Sequence, residues 1–135
     1  VTLPGGNLYF AGDTGPGDMR WAVEARRYGP VRLALLPIGA YHFTGPVTGN
    51  HIGPDQAVTA FEQLSAAYAL AVHWGTFELT AEGIDQPRIE LHRALTRAQI
   101  AQRRFRATEV GQTWMIPPSA ATDQPPLPVT PRPGI

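Results

Sequence analysis

The chain has 135 residues, 43% hydrophobic and 16% charged, which suits one domain with a packed core. Its basic residues are all arginine and balance the acids at zero formal net charge, so no basic face marks a nucleic-acid ligand. Cysteine is absent, which excludes disulfides and thiolate metal sites and leaves His, Asp, Glu or water for any metal.

No apolar run approaches the roughly 20 residues of a membrane span, and nothing reads as a signal peptide, so a cytoplasmic location is expected. The first residue is Val1, not Met, which leaves open that the chain is a fragment. Leu3 to Asn7 is a turn feeding a first strand, Leu8 to Gly12, with Asp13 directly after it. Asp18 is expected to cap a helix through about Tyr28, closed by Gly29 and Pro30. A second strand, Leu33 to Leu36, follows at once, which makes a β-α-β unit and argues for a parallel pair. Tyr41 to Gly53 has three glycines, one proline and no period, the signature of a long loop that carries function or disorder.

Pro54 suits the first helical position, and Asp55 in the first turn suits the helix dipole. Ala57, Ala60, Phe61, Leu64 and Tyr68 recur at helical spacing and predict one apolar stripe over 54–68. A third strand, Ala69 to Val72, runs into His73-Trp74-Gly75. After a turn-rich connector, Glu78 to Pro87, a helix is predicted from about Arg88 to Gln102, with Leu91, Ala94, Leu95, Ala98 and Ala101 on its buried face. Arg104 to Thr108 and Thr113 to Ile116, joined around Gly111, read as a terminal hairpin. From Pro117 onward seven of nineteen residues are proline, so 1–116 is read as the domain and 117–135 as a disordered tail.

Three residues carry the candidate chemistry. Asp13 is either a turn aspartate bonding its own backbone or a carboxylate held at a strand end, able to bridge two cations. His73 is either a satisfied core histidine or a metal ligand, with Trp74 excluding water and Gly75 permitting close backbone approach. His51 in the long loop is either a surface residue or a mobile acid, base or substrate contact. His42 has no supporting pattern and His92 lies opposite an apolar stripe; both are expected to face solvent. A P-loop, a Gly-x-Ser-x-Gly elbow and a His-Glu-x-x-His pair are all missing. The only serines, Ser65 and Ser119, fall in a predicted helix and the tail, which excludes a serine hydrolase, and a flavodoxin-like domain would lack its phosphate loop.

Tyr9-Phe10-Ala11-Gly12-Asp13-Thr14-Gly15, Leu35-Leu36-Pro37-Ile38-Gly39-Ala40-Tyr41, His51-Ile52-Gly53-Pro54-Asp55-Gln56-Ala57 and His73-Trp74-Gly75-Thr76-Phe77 occur in this order. The set resembles the C-terminal half of metallo-β-lactamase-fold hydrolases, in the branch of N-acyl phosphatidylethanolamine phospholipase D. More distantly it is similar to the L-ascorbate-6-phosphate lactonases. The resemblance runs from about Asn7 to Ile116. It implies an α/β fold, half of an αββα sandwich, and a dinuclear zinc site whose activated water cleaves a phosphodiester, ester or lactone of a small or lipid-like substrate. Asp13 falls where the family has its bridging aspartate, His73 on its last metal histidine, and His51 on a loop histidine close to substrate. The family's His-x-His-x-Asp-His cluster is missing from these residues, and His42 to Gly49 departs from the family pattern.

Two readings follow: the C-terminal half of an enzyme that is inactive as this chain alone, or a non-catalytic module of the same fold. Asp13 and His73 are expected to converge across neighbouring strand ends, because right-handed β-α-β crossovers put those ends on one edge. The strands Leu8–Phe10, Leu33–Leu36 and Ala69–Val72 are apolar throughout, as in a sheet buried on both faces, yet no segment remains for the second face. That face is expected to stay exposed, or to be covered by the missing half or by self-association.

Overall fold

A computed structural model of the chain describes residues 1–3, 5–44 and 51–117. The proline-rich segment from residue 118 onward and the centre of the long loop lie outside the described residues. The order is β1 (Asn7–Phe10), α1 (Arg20–Ala25) with a 3-10 turn at Arg26–Tyr28, β2 (Val31–Pro37), α2 (Pro54–Gln63), β3 (Tyr68–Val72), α3 (Gln86–Arg97) and β4 (Phe105–Arg106). The strands form one parallel sheet in the order β1-β2-β3-β4, so the chain is three successive β-α-β units. α2 touches α1 on one side and α3 on the other, a single helical layer.

Cross-strand register separates the two faces. Ala34 pairs with Ala69 and Leu36 with Ala71, and all four are buried beneath the helices with Phe61, Leu64, Leu91, Leu95 and Phe105. Phe61 and Phe105 meet at 5.6 Å between ring centroids, in the range of a favourable aromatic pair. The opposite register positions, Leu33, Leu35, Leu70 and Val72, are only half-buried, and Phe10, paired with Leu35, is 63% exposed. Among the described residues no helix covers this second face.

The helices differ from expectation at their ends. α2 stops at Gln63, not Tyr68, because Ser65 takes a left-handed conformation (φ 49°) and its N–H bonds the Glu62 carbonyl while that of Ala66 bonds Phe61. α3 stops at Arg97 in the same way, with Gln99 left-handed (φ 57°) and Ile100 N–H bonding Leu95. Both are Schellman closures built without glycine at the left-handed position. Tyr68 thereby becomes the first residue of β3 instead of the last of a helix stripe.

The terminal hairpin is a correction. Gly111 does sit in a turn, with Gln112 N–H bonding the Glu109 carbonyl, but 113–117 forms no strand. Phe105–Arg106 instead extends the sheet parallel to β3. Trp114 lies edge-on to the Tyr68 ring at 5.9 Å and under the Arg106 guanidinium at 5.3 Å, contacts that hold this segment by its side chain.

Candidate metal centre at the carboxyl edge of the sheet

Three chain exits build the site. After β1, Ala11 N–H still bonds Leu35, and Gly12 (φ 68°) turns the chain so that Asp13 projects at the edge. After β2, Ile38 N–H bonds Val72, and Gly39 passes so near the exit of β3 that a Cβ there would collide with the His73 carbonyl oxygen. After β3, His73 itself is left-handed (φ 59°), uncommon for a residue with a side chain and a conformation that collects at functional sites. Contrary to the expectation of neighbouring strand ends, the β1 and β3 exits are separated by β2.

His51 reaches the same edge from the far end of the long loop. The next residue, Ile52, is fully buried and its N–H bonds the Thr14 carbonyl, which ties this segment to the turn that carries Asp13. Gly53 then starts α2, its N–H held by the Gln56 side chain.

One ligand atom from each of Asp13, His51 and His73 lies within 4.8 Å of the others. His51 Nε2 stands 3.9 Å from Asp13 Oδ2, and the His51 and His73 rings meet edge to face at 4.8 Å. His51 Nδ1 lies 2.9 Å from the Ala40 carbonyl and His73 Nδ1 lies 3.3 Å from the Gly39 carbonyl. A carbonyl only accepts, so each ring carries its proton on Nδ1 and keeps the Nε2 lone pair for a ligand. The donor set of one carboxylate and two imidazoles fits a borderline divalent cation such as zinc, for which Nδ1–H···O=C contacts are the usual outer support. Asp13 and His73 are exposed and His51 is half-buried, so the three face a cleft open to solvent.

Two cavities flank the triad. A cleft of about 310 Å³ beside His73 is walled by Trp74, Phe77, Leu79, Ile84 and Pro87, with Phe77 and Leu79 well exposed at its lip. A more polar one of about 350 Å³ beside His51 contains Tyr41, His42, Asp55 and Glu90. There the Tyr41 hydroxyl donates to Glu90 at 2.6 Å, and Gln86 donates to the other Glu90 oxygen at 2.7 Å. Burial, that hydrogen bond and the neighbouring carboxylates together push the Tyr41 hydroxyl far above its ordinary pKa, so it is a neutral donor here.

His42 and His92 are exposed, in line with the sequence reading. Glu82, Glu90 and the carbonyls of Gly39 and Ala40 carry no sequence signal, because each acts on a residue 11 to 49 positions away in the chain.

Residues 1–74 match the family model described as "Beta-lactamase superfamily domain". The chain belongs to the beta-lactamase superfamily. It is 33% identical to "N-acyl-phosphatidylethanolamine-hydrolyzing phospholipase D 1" of Caenorhabditis elegans, across 79% of this chain and 31% of that protein. It is 36% identical to the mitochondrial protein of the same activity name in Saccharomyces cerevisiae, across 62% of this chain and 18% of that one. A metal-dependent hydrolase of Thermococcus kodakarensis is 40% identical across 61% of this chain and 33% of its own length. The chain thus spans a third or less of these superfamily relatives, and its α/β fold with a parallel sheet and three helices is that of a metallo-β-lactamase-type hydrolase.

Proposed function

We propose that the chain is the C-terminal half of a metal-dependent hydrolase that cleaves a phosphodiester, ester or lactone bond, with zinc as its metal. The observation that carries this reading is the convergence of Asp13, His51 and His73 with both Nε2 atoms free. Tetrahedral zinc takes four ligands, so donors outside this chain complete the set. A metal bound there supplies Lewis acidity and a water whose pKa falls toward neutrality.

The chain's own residues divide the remaining work. Asp13 and His73 bind metal; the rigid exits of β1 and β3 fix their direction. His51, on the loop and beside Asp13, orients substrate, or takes up at Nε2 the proton of the attacking water and passes it to the leaving oxygen. The apolar cleft beside His73 receives the hydrophobic part of a substrate, in keeping with the lipid named for the nematode relative. The open sheet face, with Leu33, Leu35, Leu70 and Val72, packs against the other half of the domain, or in its absence against a second copy.

The test is elemental analysis of the full protein combined with hydrolysis of bis(p-nitrophenyl) phosphate and p-nitrophenyl acetate, before and after EDTA. Asp13→Ala is expected to lose metal and turnover together, and His51→Ala to keep metal while turnover falls by roughly 10²–10⁴-fold. Loss of metal in the His51 variant would make His51 a ligand. A protein that holds no metal and hydrolyses neither compound would favour a non-catalytic module.

A further inference from the structure

We propose that Glu82 is a positioning residue for this centre: its carboxylate clamps the Gly39–His42 turn, so that the Gly39 and Ala40 carbonyls hold the His73 and His51 imidazoles. The inference rests on the reading that those imidazoles face a metal. Glu82 touches neither ring; it acts through backbone.

The turn after β2 needs a clamp. Ala40 is left-handed (φ 58°), which costs a residue with a Cβ about 1–2 kcal/mol. It also turns the N–H groups of Tyr41 and His42 away from the sheet, where they would lack partners. Glu82 answers both: Oε1 accepts from Tyr41 N–H and Oε2 from His42 N–H, each at 3.1 Å. A third link, Ala81 N–H to the His42 carbonyl at 3.0 Å, runs in the opposite direction. The two segments are therefore riveted together 40 residues apart in the chain.

Glu82 is unusual among the acids here in being only 8% exposed. Burying a carboxylate is costly unless its oxygens are hydrogen-bonded, and among the described residues it has no ion pair. Charge-assisted bonds from N–H to carboxylate are about twice as strong as neutral ones, which suits an oxygen pair that must hold a strained turn. The nearby Thr80 hydroxyl makes no regular hydrogen bond, so the two backbone donors carry the clamp. Immediately before those donors stand the two carbonyls on which His73 Nδ1 and His51 Nδ1 depend. Release of the turn moves both acceptors at once.

The experiment is ¹⁵N-histidine NMR of the full chain above about pH 8, where imidazoles are neutral. His51 and His73 are expected to show the Nδ1–H tautomer. His92, whose ring hydrogen-bonds nothing among the described residues and which lies outside the clamped turn, serves as internal standard. Glu82→Ala should shift His51 and His73 toward the signal of that standard and weaken zinc binding roughly tenfold. Glu82→Gln keeps one acceptor oxygen but turns an amide donor to the other N–H, and should fall between. Tyr41→Phe, which cuts the hydroxyl link to Glu90 and leaves the backbone N–H in place, should leave both tautomers as they are.

A folded Glu82→Ala protein with unchanged His51 and His73 tautomers overturns the proposal, and if that variant does not fold, unchanged tautomers in Glu82→Gln do so. Equal shifts in Tyr41→Phe would also overturn it, since any loosening would then suffice. Absence of zinc binding in the wild type counts against the metal reading alone, because the tautomer readout needs no metal.

Discussion

The two faces of the sheet are built from similar apolar residues and meet different surroundings. Leu35 and Leu36 are adjacent in β2; Leu36 is fully buried under α2, and Leu35 is left half-exposed. The same holds in β3 for Ala71 and Leu70. Apolar residues on both faces are the pattern of a sheet packed on two sides, so the difference lies in what covers each face and not in how it is composed. The helix-covered face holds the fold. The open one leaves its apolar side chains half-exposed among the described residues.

The largest expected effect tests the covered face. Phe105→Ala removes an aromatic side chain that is 1% exposed and packed on Phe61, and should cost about 3–5 kcal/mol in chemical denaturation. A cost below about 1 kcal/mol would mean that β4 is not part of the core. The comparison is sharpest at the adjacent pair: Leu36→Ala should cost about 2–5 kcal/mol, whereas Leu35→Ala, half-buried, should cost about 1 kcal/mol or less. Equal losses, measured in the full protein, would show that the open face is covered there as tightly as the other.

Gly39→Ala comes next, with an expected cost of about 1–3 kcal/mol from overpacking. The added Cβ meets the His73 carbonyl, so either the β2 exit or His73 must move. Metal affinity should therefore fall with stability, unlike in Leu35→Ala, where neither the triad nor its carbonyl supports are touched. A Gly39→Ala protein with unaltered metal binding would separate the site from this close approach.

Much of this frame was legible in the sequence. Asp13 and His73 each follow a short apolar strand, and β-α-β connection puts such exits on one edge, so their convergence needed only topology. His51 is different: its placement comes from Ile52, held by Thr14, a link that no periodicity reveals. The helix ends were misread because Ser65 and Gln99 occupy left-handed positions that glycine usually marks. The hairpin was misread because Phe105 and Arg106 alternate as a strand in either orientation, and only the β3 edge selects the parallel one. Glu82 sits in a connector with no apolar pattern, and its partners lie on another loop.

The smallest expected effect is the pH dependence that Glu82 contributes. Burial pushes its carboxyl upward, but the nearby Thr80 hydroxyl, although outside regular hydrogen-bond geometry, its own backbone N–H and those of His42 and Tyr41 outweigh burial and hold the acid below its ordinary value of 4.5. A carboxyl with a lowered pKa in the folded state contributes stability that is present above the unfolded value and lost as pH falls through the folded one. The melting temperature is thus expected to show no Glu82 contribution to its slope above about pH 5.5, and to fall as pH drops below 4.5. Other acidic groups also contribute to acid lability, so the measurement is the difference between wild type and Glu82→Gln. The amide cannot ionise, so that difference should favour wild type at pH 6 and shrink steadily toward pH 3. A difference that stays constant across this range would mean that the carboxylate charge plays no part in holding the turn, and that Glu82 serves only as a packed, neutral group beneath the open cleft.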